Sequence, residues 1–402
     1  MKLSQSMIPA SALRRFATEE SLEALFSLFV AEGFGHAHAY LPAGSLLMTR
    51  ITKILDEEIE KFGAVRLMLP QLVSKESIAT SKRVAAGFFS SFALPIEAHG
   101  VDSFMMPTHE EVVAKLLNGV GYPVGLPLLL YQSGRKFRSE SMPCFPIRLA
   151  EFQMHDTYSF CIDEVEDQAL FERLVAAYMR AFCRIGVSAF VSQDFRDPLF
   201  KDVSRELIAP GPLGTDLIKL VGTQRCYKLD VNAVDNDAQS GLEIGHAYRL
   251  FRIYESLYPS ALAQSRQTML FGGTGIGIDR VFFSALAQGF RGGAVRLASE
   301  LKIADLAVVS SSGGDQELAS HLRGLGLRII ELDLDLPIDV QLCAARAFGI
   351  THFSFSTSGT LELRRIGEDV SVRKRWPLSR ADELALRYAL LKPPSGVGGG
   401  IL

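Results

Sequence analysis

The residues best placed to do chemistry in this chain are Phe137-Arg138-Ser139-Glu140, followed by Arg148, Phe152 and Asp156. Read as chemistry, they offer a guanidinium for a phosphate, a carboxylate two residues on, and an aromatic face suited to a base. Pro107-Thr108-His109-Glu110-Glu111 stands ahead of them, and Glu243, His246 and Gly275-Ile276-Gly277-Ile278-Asp279-Arg280 stand after them. Each motif alone has an ordinary structural reading. Thr-His-Glu-Glu can start a helix with Thr108 as cap and Glu111 as its third-residue partner, and Gly-Ile-Gly-Ile-Asp-Arg can be a packing turn. Their order carries the information: T-x-E, then F-R-x-E with R-x-x-x-F-x-x-x-D, then G-x-G-x-x-R after about 120 further residues.

Positioning such groups requires a sheet. Leu128 to Ser133, extended by Arg135 to Glu140, and Ile147 to Met154 read as antiparallel strands joined by a loop that carries Pro143 and Pro146. Alternation then puts Arg138 and Glu140 on one face, within reach of Phe152 on the partner strand. Upstream, a helical stretch spans Ser21 to Glu32 and an amphipathic helix runs from Leu46 to Phe62. Gly63 ends that helix, and Ala64 to Leu69 reads as a buried strand closed by Pro70. Residues 73 to 104 show only a loose pattern. Glu110 to Leu117 is a helix, and Asp163 caps a long helix that stops at Gly186. Strands follow near Ala189, Asp216 and Gln224, with Gly241 to Leu250 another. The glycine-rich run Leu270 to Ile278 leads into an apolar helix and leaves backbone open to a ligand.

Residues 289 to 302 read as a linker, after which strand and helix alternate as in a small α/β domain over residues 303 to 391. The tail, 392 to 402, is expected to be disordered. The 402 residues, 48% of them hydrophobic, suffice for two or three cores. A formal net charge of −3 argues against a generally basic coat for DNA or RNA, so any RNA is met locally. The five cysteines lack zinc spacing and fit reduced thiols in a cytoplasmic protein. No apolar run approaches a membrane span. Neither a P-loop lysine motif nor a Ser-His or Cys-His pairing is evident.

At this point the chain resembles class II aminoacyl-tRNA synthetases, and within them the bacterial-type prolyl-tRNA synthetases. The resemblance rests on M-K-L-S-Q-S, A-Y-L-P-A-G at Ala39, G-A-V-R-L-M-L-P at Gly63, M-P-T-H-E-E-V at Met106, K-F-R-S-E at Lys136, E-F-Q-M-H-D-T-Y-S-F at Glu151, G-L-E-I-G-H at Gly241 and G-I-G-I-D-R at Gly275. It implies an α+β fold. An antiparallel catalytic sheet flanked by helices would cover residues 1 to 288, followed by an anticodon-binding-like α/β domain. It implies ATP as substrate, Mg²⁺, proline or another small amino acid, tRNA, and a homodimer with Pro70 at its interface. Arg138 would hold the α-phosphate and the amino-acid carboxylate, Glu140 the adenine amino group, and Phe152 the adenine ring. Arg280 would bind the γ-phosphate, with Arg148 at the pyrophosphate end. Thr108 and Glu110 would receive the amino group, His246, Gly275 and Gly277 would line the amino-acid site, and Glu243 is a candidate Mg²⁺ ligand.

Departures from the family pattern are also visible. D-V-S-R-E stands where the family has Ser-His-Glu, so Ser204 to Glu206 carries Arg205 in place of histidine. Arg249 and Phe251 replace polar and glycine residues, and Ala150 replaces a second arginine. These changes are expected to cluster around the amino-acid pocket, leaving the ATP residues intact and weakening the inference to proline. The editing insertion is absent, so no built-in proofreading is expected. The anticodon-reading segment is replaced by L-D-L-D-L-P-I-D-V-Q, while Arg364, Arg365, Arg373, Lys374 and Arg375 are either an RNA contact or a solvated hairpin face. Three readings follow: a compact prolyl-tRNA synthetase; a divergent paralogue that activates another small amino acid or loads a carrier protein; and a non-catalytic binding subunit. Retention of Arg138, Glu140, Phe152 and Arg280 argues against the third.

Overall fold

A computed structural model describes the chain except residues 36, 86, 121–125, 140–143, 193–194, 197–202, 231–234, 252–268, 310–312, 358–359, 367–373 and 378–402. The chain divides into two compact units. One comprises Glu32–Ala39 and Met48–Gln288, the other Met1–Ala31, Tyr40–Leu47 and Gly289–Leu402.

The larger unit is built from helix α1 (Pro42–Glu60) from Met48 onward, strands β1 (Val65–Arg66), β2 (Leu72–Ser74), β3 (Leu94–Ala98) and β4 (Val101–Met105), helix α2 (Glu110–Val120), strands β5 (Leu128–Phe137) and β6 (Glu151–Cys161), and helix α3 (Glu164–Ile185). Strands β7 (Phe190–Ser192), β8 (Val203–Pro210), β9 (Asp216–Val221), β10 (Arg225–Lys228), β11 (Ala238–Phe251) and β12 (Leu270–Gly277) follow, then helix α4 (Ile278–Gly289). A ten-stranded sheet runs from the short strand Phe195–Arg196 through β8, β7, β10, β9, β11, β12, β6 and β5 to β1. Its central pairings are antiparallel, and β1 joins β5 in parallel over two residues. Strands β2, β4 and β3 form a separate antiparallel sheet in the segment whose sequence pattern is loose.

The two faces of the large sheet have different occupants. Helix α3 covers one, burying Leu170, Leu174, Tyr178 and Phe182, each worth about 1.5–3 kcal/mol of apolar burial. Asp163 caps this helix by accepting from the Glu166 amide at 2.8 Å, and Gly186 ends it at φ 84°. Helix α2 packs on the other face, with Val113 and Ala114 against Leu130, Tyr158 and Phe160. On that face β12 presents Gly273, Gly275 and Gly277, two apart and without side chains.

Several sequence expectations change. Strand β1 is two residues long and exposed rather than a buried run from Ala64 to Leu69, because it is the last strand of the sheet and pairs on one side only. The first helical stretch shrinks to Leu22–Phe26, and α1 starts earlier, at Pro42. Strand β5 stops at Phe137, so Arg138 lies just beyond the ladder, its amide donating to the Ala150 carbonyl at 2.8 Å.

In the other unit, strands β13 (Leu306–Val309), β14 (Ile329–Leu332), β15 (His352–Thr357), β16 (Thr360–Arg365) and β17 (Lys374–Pro377) form a sheet ordered β14-β13-β15-β16-β17. The first three are parallel and the last two antiparallel. Helices Gly313–Gly324 and Ile338–Ala347 alternate with them, as the rhythm of the sequence indicates. Residues 1–31, expected with the catalytic sheet, pack within this unit. Phe29 meets Phe348 edge-on with centroids 5.5 Å apart, and Ser4 bonds Asp333. The 289–302 stretch contains a short antiparallel pair, Phe290–Arg291 with Ala294–Val295. The expected last helix and tail lie outside the described residues.

A methyl group at Gly273 would overlap the Thr157 carbonyl oxygen and lie 3.0 Å from the Tyr248 hydroxyl, and the first neighbour is backbone that cannot turn aside. Gly273→Ala is therefore expected to cost at least about 1–3 kcal/mol. Urea unfolding should show the unfolding free energy falling by that amount and the midpoint falling with it, and an unchanged midpoint would contradict the close packing of β12 on β6.

Candidate active site

The glycine-bearing face of the sheet is where the expected residues meet. Thr108 and Glu110 arrive at the start of α2, both nearly buried. The Thr108 hydroxyl donates to Glu110 Oε2, and the Tyr248 hydroxyl donates to Glu110 Oε1 at 3.1 Å. Glu111 accepts from the Ser81 hydroxyl at 3.2 Å and lies 3.5 Å from Arg83 Nη1. Arg83 Nη1 also stands 3.4 Å from Glu110 Oε2.

Beneath Glu110 lies a polar network that the sequence did not announce. The ammonium of Lys136 is fully buried, pairs with Asp156 and donates to His109 Nδ1 at 2.7 Å. With Nδ1 accepting, Nε2 carries the proton and donates to the Pro70 carbonyl at 3.0 Å. Gln132 and Tyr158 also donate to Asp156, at 3.3 and 3.1 Å. Burial opposes the charge on Asp156, but the charge and hydrogen bond of Lys136 hold its carboxyl below the usual range. Burial, aided by the Lys136 charge, lowers His109 to about 4. The ring is neutral at pH 7, as the hydrogen-bond pattern requires.

Arg138 is gripped between two rings, with its guanidinium 4.6 Å from the Phe92 centroid and 4.9 Å from that of Phe152. Its Nε faces the Pro107 carbonyl at 3.4 Å. Phe92 reaches the site because the Ser139 amide donates to the Phe92 carbonyl at 2.9 Å. Glu140 lies outside the described residues.

Arg280 projects from the first turn of α4. Its Nη1 donates to the Glu243 carbonyl at 2.7 Å and its Nε to the Ile147 carbonyl at 3.2 Å, which ties it to the loop carrying Arg148. Next to it, Asp279 accepts from the Gln153 amide at 2.6 Å, so the helix start is anchored beside Phe152. His246 sits across from Gly275 in the ladder and shares a face with Tyr248. Its Nδ1 is 3.2 Å from Glu243 Oε1. Burial works against charge on Glu243, yet His246, Arg280 and Lys228 hold it down at about 2.

Glu206, Glu243 and His246 each bring a ligand atom within 4.8 Å of one another. An ionised carboxylate with a second one in reach suits a hard cation that keeps most of its water, so the donor set fits Mg²⁺. Lys228 at 2.5 Å from Glu206 Oε2 already compensates part of that charge.

The sequence departures separate by strand parity. Ser204 and Glu206 pair with Tyr248 and His246 and face the site. Arg205 and Arg249, expected around the amino-acid pocket, turn to the other side: Arg249 Nε donates to Asp167 and Arg205 Nη1 to Glu172 at 2.7 Å, both acceptors on α3 behind the sheet. One residue of offset along a strand reverses the face. The side chain of Phe251 lies outside the described residues.

Comparison with known proteins follows this geometry. Residues 96–288 match the tRNA synthetase class II core domain (G, H, P, S and T). That match covers 193 of the 402 residues. A proline--tRNA ligase of Zymomonas mobilis is 35% identical over 181 residues, covering 44% of this chain and 40% of the relative. One from Rhodopseudomonas palustris is 32% identical over 183 residues, covering 45% and 42%. The match thus spans about two fifths of the length of these curated relatives. In three dimensions the fold is similar to that of Giardia lamblia prolyl-tRNA synthetase in complex with prolyl-adenylate, with TM-score 0.68 and 16% identity, covering 91% of this chain and 74% of that one. The Cryptosporidium parvum enzyme complexed with L-proline and AMP gives TM-score 0.68 at 10% identity, covering 95% and 79%. The expected class II fold, a mixed α/β chain with an antiparallel sheet core, is therefore the one observed.

Sequence reasoning passed over Lys136, Tyr248 and Arg83. The first two carry a detectable signal, since each lies two residues along the chain from a nominated group, Arg138 or His246. Arg83 had none beyond the need of a buried Glu111 for a cation.

The neutral histidines set an acid-side limit on stability. His109 and His38 are both lowered to about 4, His38 by burial, against about 6.5 in an unfolded chain. An unfolded chain takes up protons first, so their contribution is complete above pH 6.5 and is lost as pH falls to about 4. For His109 this amounts to up to about 3 kcal/mol. Urea midpoints between pH 7.5 and 4 should decline less steeply in His109→Asn than in the parent, and parallel curves would refute the neutral assignment.

Proposed function

We infer that this chain condenses ATP with an amino acid, proline by the names of its relatives, and passes the aminoacyl group to tRNA. The observation that carries this reading is the convergence on one bare sheet face of a carboxylate held by Thr108 and Tyr248, a guanidinium held between Phe92 and Phe152, and Arg280 at a helix start.

The chemistry follows from charge. A substrate ammonium pairs with Glu110 above the floor left open by Gly275 and Gly277, with His246 at the side-chain end. Its carboxylate lies toward Arg138, which also takes the α-phosphate. A carboxylate oxygen attacks the α-phosphorus, the bond to the bridging oxygen breaks, and pyrophosphate leaves toward Arg280 and Arg148. Arg138 balances the charge that builds on the equatorial oxygens. Phe152 offers a ring face to adenine, with Glu140 accepting from the adenine amino group. Glu243, with Glu206, would hold Mg²⁺, which supplies charge compensation on the phosphates when bound. In the second step a ribose hydroxyl of tRNA attacks the activated carbonyl and AMP departs. Neither step needs a protein nucleophile; position and charge suffice.

The test is amino-acid-dependent ATP–pyrophosphate exchange across the twenty amino acids, followed by charging of total tRNA. Exchange with proline and charging are expected. Exchange without charging would favour the paralogue that loads another acceptor, and no exchange with any amino acid would sink both enzyme readings. Arg280→Ala should reduce exchange at least about 100-fold with the fold intact.

The same reading includes a cytoplasmic homodimer. Among the described residues no helix is long and apolar enough to cross a membrane. The sheet ends at β1, where Val65 is 57% and Met68 94% exposed, a hydrophobic edge suited to a second copy. Met68→Asp should shift the sedimentation profile from dimer to monomer; a parent chain that sediments as a monomer would remove the dimer from the proposal.

A further inference from the structure

Glu110 is not the only carboxylate at the amino-group site. Glu111 follows it, is fully buried, and cannot touch a substrate. Between them stands Arg83, its Nη1 3.4 Å from Glu110 and 3.5 Å from Glu111, only 14% of its side chain exposed. Ser81 organises the group from the same segment: its hydroxyl donates to Glu111 Oε1 at 3.2 Å and accepts from the Arg83 amide at 3.2 Å. Two carboxylates and one guanidinium within about 3.5 Å behave as a unit in a medium that screens poorly.

We propose that Arg83 and Glu111 form a buried counter-ion pair that fixes the net charge at Glu110 and so makes the site select a protonated α-amino group. With Glu111 ionised, the pair is neutral and Glu110 presents one full negative charge. If the Glu111 charge were removed, the guanidinium would turn its whole field on Glu110 and stand in for the substrate ammonium. Burial pushes the Glu111 carboxyl up, Arg83 opposes that push and Glu110 adds to it, and the balance stays above the usual carboxylate range. Arg83, 3.5 Å away, is the cation that favours the ionised form. Arg83 and Glu111 are positioning residues, acting on the substrate through Glu110. This inference rests on the amino-acid-activating reading of the site.

The experiment measures pyrophosphate-exchange KM for proline and for ATP in four proteins: parent, Glu111→Gln, Arg83→Gln and the double variant. Glu111→Gln should raise the proline KM about 10- to 100-fold with the ATP KM within about 3-fold, and the double variant should return the proline KM to within about 3-fold of the parent. Inhibition by tetrahydrofuran-2-carboxylate, whose ring oxygen replaces the amino nitrogen, should be unchanged in Glu111→Gln, a selectivity that mere loosening of the pocket would not give. Should Glu111→Gln fail to fold, Arg83→Gln alone decides: a proline KM equal to or below the parent value is expected, and a rise above about 10-fold overturns the proposal. A double variant no better than Glu111→Gln also overturns it. Absence of exchange in the parent with every amino acid would overturn the activation reading and this inference with it, whereas parent exchange with an unaltered KM in Glu111→Gln overturns this inference alone.

Discussion

The structure of the site depends on one buried ammonium. Lys136 sits in the ladder of β5, has no exposure to water, and joins Asp156 on β6 to His109 ahead of α2. His109 in turn holds the Pro70 carbonyl at the end of the edge segment. A desolvated lysine is tolerated only with partners, and removing one from such a pair typically costs about 3–5 kcal/mol because the other charge is stranded. Four pieces of chain distant in sequence are thus held by a constraint that water cannot relax. Thr108 and Glu110 inherit their position from it.

Around that anchor the sheet divides labour between its faces. The face toward α3 carries packing and ion pairs that close the core: Tyr178 bonds His155 at 2.8 Å and Arg249 bonds Asp167. The other face carries glycines, the Glu110 cluster and the cationic residues Arg138 and Arg280 of the candidate site. Helix α4 begins directly after the last of these glycines, which lets Arg280 enter from a helix terminus rather than from a loop. Helices and strands carry Glu110, Phe152, Glu243, His246, Gly275, Gly277 and Arg280, while Thr108 stands just ahead of α2 and Arg138 just beyond β5.

Much of this was legible from residue order. The paired strands, the Asp163 cap, the Gly186 stop and the α/β rhythm after residue 303 are local patterns, and local patterns survive folding. What was hidden depends on register. A lysine between Arg135 and Phe137 reads as a solvent-facing strand residue, since lysine is seldom buried; only the pairing of β5 with β6 and the approach of His109 show that it is internal. The segment from Val73 to Phe104 looked shapeless because its helices are four or five residues long and its strands three to five, below the length at which periodicity speaks. Yet that segment delivers Arg83 and Phe92.

The placement of Arg205 and Arg249 has a consequence for how such a chain can vary. Both replace residues in stretches that border the candidate site, yet each guanidinium reaches α3 on the other side of the sheet. A pleated strand is a partition. Substitutions of one parity are absorbed by the helix behind it as ordinary structural drift, and those of the other parity reach the candidate site. Divergence counted along the sequence therefore overstates divergence of that face, and the measure that matters here is the short set Ser204, Glu206, His246 and Tyr248, which shares a face with the glycines.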